Sequence, residues 1–374
     1  MIRPTRARLH EIRLPLREPF RISTGVAHHR RICLLQLEDA DGVTSWSECV
    51  AGSRPNYTPE TVDTAWFSLQ EWLLPRVLGQ TFRGPEEVFP ELHENIRGHL
   101  MAKAAVEMGI WNLAAQRSGL ALASLIGGER ESVATGISLG IEEDPDDLLE
   151  KIRSALDAGY RKIKLKIAPG ADVEVVRRVR DAVGTEVDLA VDGNAAYSTE
   201  DLDHLTALDE LSLLMIEQPM GPDDLLRHAE LQRRLETPVC LDETITGPDR
   251  VRDMIELGSG RVVNIKPGRV GGFARSITIH DVCAESGIPV WCGGMLETGI
   301  GRAYNVALAS LPKFRLPGDL SPSRRYWERD IVTPEWTMDE TGMVDVPTEE
   351  PGLGVAVDRD RIEELTVRTA SLVA

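Results

Sequence analysis

The sequence predicts an α/β protein: a TIM-type (β/α)7β barrel, preceded by an α+β unit and followed by a C-terminal tail that packs back on that unit. Three observations carry this reading. From Val133 onward, short apolar runs alternate with amphipathic helical stretches seven times in about 160 residues. The apolar runs are nearly continuous, which suits parallel strands buried on both faces. Before them the chain reads as strands and then helices, the order of a separate α+β unit. A doubly wound open sheet is the alternative, but no G-x-G-x-x-G follows a first strand, so its dinucleotide-binding form is unsupported.

The elements follow in order. RLHEIRLPL and ICLLQLED alternate, and the turn at Asp41-Gly42 leads into VTSWSEC, which predicts an antiparallel meander. Thr58 or Thr61 caps a helix through TVDTAWFSLQEWLLPRVL, and a second helix covers KAAVEMGIWNLAAQRSG and stops at Gly119. The barrel strands are VATGISLG, KIKLKI, DLAVDGN, LLMIEQP, VCLDE, RVVNIKP and PVWCGG, with the run near KFRLPGDL as an eighth. The expected division is residues 1–125, 126–320 and 321–374, the last being turn-rich.

Composition narrows the partners. A net charge of −18 argues against nucleic acid and anionic membranes. It leaves an anionic substrate open, because a metal and a few lysines reverse the field within one pocket. The five cysteines are widely spaced and include no C-x-x-C, which argues against disulfides and structural zinc and fits a reducing cytoplasm. The N-terminus lacks the apolar stretch of a signal peptide, and no uncharged apolar run reaches the ~20 residues of a membrane span.

The chemistry is carried by spacing. Asp192, Glu217, Asp242 and Lys266 each end a predicted strand, at intervals of 25, 25 and 24 residues. That is about one βα repeat, so all four occupy the C-terminal rim, where TIM-barrel active sites are built. Three bare carboxylates would repel, since burying unpaired ions costs several kcal/mol each. Hard oxygen donors without His or Cys select Mg²⁺, Mn²⁺ or a similar divalent cation. A single such acid is most often a helix cap or a surface ion pair, but three in register are not explained that way. Lys164 and Lys166 lie two apart on the strand before the first acid, on one face and ~7 Å apart. Lys166 and Lys266 therefore flank the carboxylates. Burial and nearby cations, Arg269 among them, are expected to lower a lysine pKa and give a neutral amine able to act as a base. A metal-bound carboxylate substrate then loses its α-proton to one lysine, and the resulting enediolate is either reprotonated on its other face or expels a β-leaving group.

The order K-x-K, D-x-N, E-Q-P, D-E and N-I-K-P-G-R-x-G-G resembles the enolase superfamily, within its muconate-lactonising subgroup. The nearer resemblance is to the o-succinylbenzoate synthase / N-succinylamino acid racemase family. It rests on YRKIKLKIAPG, VDGNAAY, IEQPM, LDETI, NIKPGRVGG, PVWCGGMLETGIGRAYNVALASLP, LPGDLSPS and PTEEPGLGV, and runs from about Arg13 to Val357. The resemblance implies that Lys166 and Lys266 are the acid/base pair, that Lys164 helps hold the substrate carboxylate, and that Asp192, Glu217 and Asp242 ligate Mg²⁺. It implies that Asn194 supports this region and that Ser138, Gly293, Gly294 and Met295 line the site. It further implies that the first unit caps the barrel, with a mobile loop near PFRISTGVAHHR and a second lid segment around Tyr57. Homo-oligomers are expected for such barrels.

The catalytic residues do not separate dehydration in menaquinone synthesis from racemisation of N-succinylamino acids. Arg269 favours competence in racemisation. A dipeptide epimerase would carry an acidic pair on the last strand, where LPGDLSPS has only Asp319, and a muconate cycloisomerase fits CGGMLETGIGRA less well. Mandelate-racemase chemistry would want a His in PVWCGG. A Schiff-base aldolase and an idle barrel acting as a scaffold both leave the acid cluster without a role. No G-x-S-x-G or Ser/His/Asp pattern indicates acyl transfer.

Overall fold

The long N-terminal hairpin follows from its alternation. Pro4–Ile22 (β1) and Gly25–Asp39 (β2) pair antiparallel, and Thr44–Cys49 (β3) continues the meander. The computed structural model describes residues 1–22 and 25–374, so Ser23 and Thr24, in the expected lid loop, lie outside the described residues. The flanks of that loop are ribbon: Phe20 and Arg21 stand opposite Ala27 and Val26. One face of this sheet, with Leu9, Cys33, Leu35 and Leu37, packs on the helices of the same unit. The other face, with Ile12, Leu14, Ile32 and Leu34, joins the core shared with the barrel.

Thr61, rather than Thr58, caps the first helix (Val62–Ser68), in a reciprocal arrangement with Thr64. That helix passes into a π-helical turn, Leu69–Leu73, before Pro75. The second helix, Leu100–Ser118, ends at Gly119, whose φ of +68° is the left-handed conformation that glycine adopts at no steric cost.

The seven barrel strands are Ile137–Leu139 (β4), Lys162–Lys166 (β5), Asp188–Asp192 (β6), Met215–Glu217 (β7), Val239–Leu241 (β8), Val262–Ile265 (β9) and Val290–Cys292 (β10). They form one parallel sheet in sequence order. The expected eighth strand does not form. Phe314 bridges Val290 and Gly318 bridges Thr135, so this stretch fills the gap between the last and first strands by single contacts. Pro317 has no N–H to offer a ladder. The stretch is instead tied by Gly318 N–H to Ala134 O (2.9 Å) and Asp319 N–H to Cys292 O (2.9 Å). Ala190, Met215, Cys240, Val262 and Trp291 form a small apolar cluster inside the barrel.

The end of the chain returns to its beginning: Thr366–Val373 (β11) pairs antiparallel with β1 and forms the edge of the first sheet. Among the described residues no helix is long and apolar enough to cross a membrane, and all five cysteines are free and buried.

Candidate active site

Parallel pairing brings the predicted residues to one rung. Lys166 stands opposite Asp192, and Asp192 opposite Glu217. Asp242 and Lys266 follow the last residues of β8 and β9. Each candidate carboxylate meets a lysine. Lys166 Nζ lies 2.6 Å from Asp192 Oδ2, Lys164 Nζ 2.8 Å from Glu217 Oε2, and Lys266 Nζ 2.8 Å from Asp242 Oδ2. All six side chains are buried or nearly so, with Lys166 the most open. In a water-poor setting such pairs are strong only when their remaining lone pairs are met. They largely are. Asn264 donates to Glu217 Oε1 (2.7 Å), Asn194 N–H to Asp192 Oδ1 (2.9 Å), and Tyr57 Oη to Asp242 Oδ1 (3.0 Å).

The loops that carry these groups are fixed by their own sequence. Gln218, directly after Glu217, accepts from the Asp242 and Thr244 N–H groups (3.0 and 3.2 Å) and donates to Thr244 Oγ1 (2.8 Å), so it ties the ends of β7 and β8 together. Asn194 sits at φ +43°, which an Asn tolerates better than a branched residue. Its Oδ1 accepts from Lys166 (2.7 Å) and its Nδ2 donates to Glu243 Oε1 (3.1 Å).

Other predicted residues are placed less directly. Ser138 Oγ donates to Asp319 Oδ2 (3.0 Å), and so braces that acid. A Cβ on Gly293 would come within 2.6 Å of Lys266 Cε, and one on Gly294 within 2.8 Å of Asp319 O, so both positions are close approaches of backbone to site. Met295 packs against the core of the N-terminal unit. Tyr57, from the second lid segment, accepts from Lys266 Nζ (3.0 Å). At the other lid segment Ile141 N–H donates to Arg21 O (3.1 Å) and Arg21 pairs with Glu143 (3.2 Å), which holds the described end of the ribbon on the barrel rim.

With their ammonium groups paired to buried carboxylates, Lys266 and Lys164 are held above, not below, the ordinary lysine value. Burial acts to lower both, but Tyr57, Glu217 and Glu243 around Lys266, and Asp319, Glu217 and Asp192 around Lys164, outweigh it and hold both ammonium groups well above the ordinary lysine range. The Arg269 guanidinium closes on Asp242, the same acid Lys266 uses, and on the Ile245 and Asn264 carbonyls. Burial would lift Asp192, yet Lys166 and Lys164 hold it at about 2.

Three members of this cluster were not singled out from the sequence. Lys162 is the first lysine in K-x-K-x-K and shares the face of Lys164 by the same period of two. Asn264 lies two residues before Lys266, again on one face. Glu243 follows Asp242 directly; among the described residues its Oε2 is buried without a partner, and burial together with Asp192 lifts its carboxyl to about 7.

The fit to a divalent cation rests on this donor set. Asp192, Glu217 and Asp242 offer hard oxygens from adjacent strand ends, and the orphaned Glu243 oxygen adds one more. In the arrangement described, the lysines occupy these oxygens, and among the described residues no three acids, imidazoles or thiols are grouped as a ready-made metal cage.

Residues 5–127 match the mandelate racemase / muconate lactonizing enzyme N-terminal domain, and residues 147–361 match the enolase C-terminal domain-like family. The chain is 47% identical to an o-succinylbenzoate synthase of Geobacillus kaustophilus over 96% of its length and 94% of that protein. It is 46% identical to an N-succinylamino acid racemase of Amycolatopsis sp over 96% of each chain. A crystal structure of an enolase superfamily member from Listeria innocua superposes with a TM-score of 0.95 at 39% identity, covering 100% of both chains. The chain belongs to the enolase superfamily, within the family of the o-succinylbenzoate synthases and N-succinylamino acid racemases.

Proposed function

We propose that the chain removes the α-proton of a small carboxylate substrate, working as an o-succinylbenzoate synthase, an N-succinylamino acid racemase, or both. The observation that carries this is the pairing of Lys166 and Lys266, on strands at opposite ends of the acid row, each with a rim carboxylate. Asp192, Glu217 and Asp242 would hold a divalent cation, Mg²⁺ or Mn²⁺. When bound, it supplies positive charge against the substrate carboxylate, where charge gathers as the α-proton leaves.

The lysines do the proton work. One, released from its carboxylate partner and neutral, takes the α-proton at its Nζ. In racemisation the other returns a proton to the opposite face of the same carbon. In dehydration the lysine that took the α-proton returns it to the departing β-hydroxyl, which leaves as water, while the second ammonium steadies the developing charge. Lys164 donates to the substrate carboxylate from below. Tyr57 and the β1–β2 ribbon close the rim and exclude water, which strengthens every charge interaction inside.

Lys164, Lys166, Lys266 and Arg269 set four cationic side chains among the rim carboxylates. Both an N-succinylamino acid and a succinyl-bearing cyclohexadiene carboxylate carry two carboxylates for such a site to meet.

The test is a paired assay with Mg²⁺. Loss of circular dichroism from an N-succinylamino acid reads racemisation, and absorbance of the aromatic product reads dehydration. Activity in at least one, abolished in both Lys166→Ala and Lys266→Ala, is expected. Neither activity at high enzyme concentration rejects the reading.

A further inference from the structure

Below the candidate acid/base pair lies a third lysine that the reaction does not use. Lys162 is fully buried, on the same face of β5 as Lys164 and Lys166 but two rungs, ~13 Å of strand, below the latter. Its Nζ sits 3.6 Å from the centroid of the buried Trp291 ring. Among the described residues no side chain or carbonyl meets it within hydrogen-bonding geometry, and its nearest anion is Asp319 Oδ1 at 3.4 Å. Space is reserved for it, since a Cβ on Gly136 would come within 2.7 Å of its Cε.

Asp319 links this lysine to the site. Its Oδ2 receives Lys164 Nζ at 2.8 Å and Ser138 Oγ at 3.0 Å, while Oδ1 faces Lys162. Its backbone is pinned on both sides: the N–H donates to Cys292 O (2.9 Å) and the carbonyl accepts from Arg302 Nη1 (2.6 Å). The acid therefore hangs from a fixed point on the stretch that closes the barrel. Without Lys162, Asp319 Oδ1 would lose the cation it faces, and the carboxylate could turn about its Ser138 and Lys164 contacts and shift the ammonium relative to Glu217. A buried ammonium is costly to desolvate, and burial lowers the Lys162 pKa, with Asp319 opposing.

We infer that Lys162 is a positioning residue: by holding Asp319 Oδ1, it keeps Asp319 Oδ2 under Lys164 and so sets the height at which Lys164 meets the substrate carboxylate. This rests on the function proposed above for Lys164. Lys162 itself touches no substrate, and the cation–π contact with Trp291 replaces part of the hydration it has lost.

The test uses Lys162→Met, which keeps the stem and its packing on Trp291, with Lys162→Arg and Asp319→Asn beside it, all in the full-length enzyme. Lys162→Met is expected to fold, to lower kcat about tenfold or more with KM changed far less, and to shift the Lys164 ammonium away from Asp319 in a crystal structure. Lys162→Arg should restore most of kcat. The double variant Lys162→Met/Asp319→Asn should be no slower than Asp319→Asn alone, because both act through one link. Wild-type kcat in folded Lys162→Met, or an unmoved Lys164, overturns the inference. If Lys162→Met does not fold, Lys164 unmoved in Asp319→Asn overturns it equally. The crystallographic arm needs no activity, so a failure of the proposed reaction is told apart from a failure of this link.

Discussion

Lys266 donates a hydrogen bond to the Tyr57 hydroxyl across 3.0 Å, so the N-terminal unit touches a candidate acid/base group of the barrel directly. The same hydroxyl donates to Asp242 Oδ1 at 3.0 Å, and the Lys266 ammonium lies 4.7 Å from the Tyr57 ring centroid. One side chain thus orients both a proton carrier and a candidate metal ligand. Tyr57→Phe keeps the ring and removes the hydroxyl. The predicted result is a fall in kcat/KM of about 5- to 50-fold, the order for one oriented hydrogen bond to a charged group. Thermal stability should change little, because the site is at a lid and not in the core. Steady-state kinetics on the variant decide it, and unchanged kcat/KM would show that Tyr57 is only a cover.

Gly293 follows β10 with Asn264 and Lys266 immediately beside it. A Cβ there would stand 2.3 Å from Asn264 Oδ1 and 2.6 Å from Lys266 Cε, distances real atoms do not share. Gly293→Ala is predicted to push Lys266 out of line and to cost about 100-fold in kcat, the usual cost of a misplacement near 1 Å. Overpacking should also remove about 1–3 kcal/mol of stability. Chemical denaturation and kinetics on one preparation read both effects. Near-wild-type turnover would mean that Lys266 has more freedom than its surroundings allow.

How far the site was legible depends on which residues share a strand face. Lys166, Asp192, Glu217, Asp242 and Lys266 could be placed because one βα repeat sets their spacing and period two sets their direction. The same rule would have found Lys162 and Asn264. In sequence alone, a buried lysine low in a strand, or an Asn beside a Lys, reads as ordinary, because its partners come from other strands. Asp319 was noticed only as one acid of a pair that is not there. Its contact with Lys164 depends on how the barrel closes, and closure was misread: Pro317 prevents the strand that KFRLPGDL suggested, and single bridges replace it. Sequence also does not show which carboxylate a buried ammonium meets, and at Lys266 and Lys164 the neighbouring anions outweigh burial.

Glu107 couples the two units and gives a pH dependence of stability. It lies in the helix Leu100–Ser118 and accepts from the Phe273 and Ala274 N–H groups (2.8 and 2.9 Å), capping the barrel helix Phe273–Glu285, and from Trp111 Nε1 (2.8 Å). Burial raises its carboxyl to about 7 despite these bonds. The folded state therefore binds the proton more tightly than the unfolded state, whose value is the ordinary 4.5. Stability from this group is full below that value and is lost as pH rises through about 7, by up to about 3 kcal/mol. Glu107→Gln, which cannot ionise, removes this dependence. Denaturant unfolding of both proteins from pH 4.5 to 8 should show the wild type losing stability relative to the variant as pH rises. Parallel curves would place the Glu107 pKa near its ordinary value.

The acid row also predicts how the protein answers a chelator. Asp192, Glu217 and Asp242 are held by Lys166, Lys164 and Lys266, so a divalent cation must displace ammonium groups to bind. Loading should therefore be measurable without turnover. Added Mg²⁺ or Mn²⁺ is predicted to raise the thermal midpoint by an amount that grows with concentration, equivalent to about 2.7 kcal/mol at a hundred times Kd. Activity should vanish with EDTA and return with Mg²⁺. Asp242→Asn should weaken cation binding and leave the Arg269 guanidinium, buried at 1% exposure, with no anion to meet, so this variant should lose stability as well as activity. Asp192→Asn should lose cation affinity with a smaller stability cost, because Lys166 keeps Asn194 as a second partner. A chelated enzyme that retains full turnover would leave the carboxylates as partners of the lysines alone, and the difference between the two Asn variants would then appear in stability but not in metal titration.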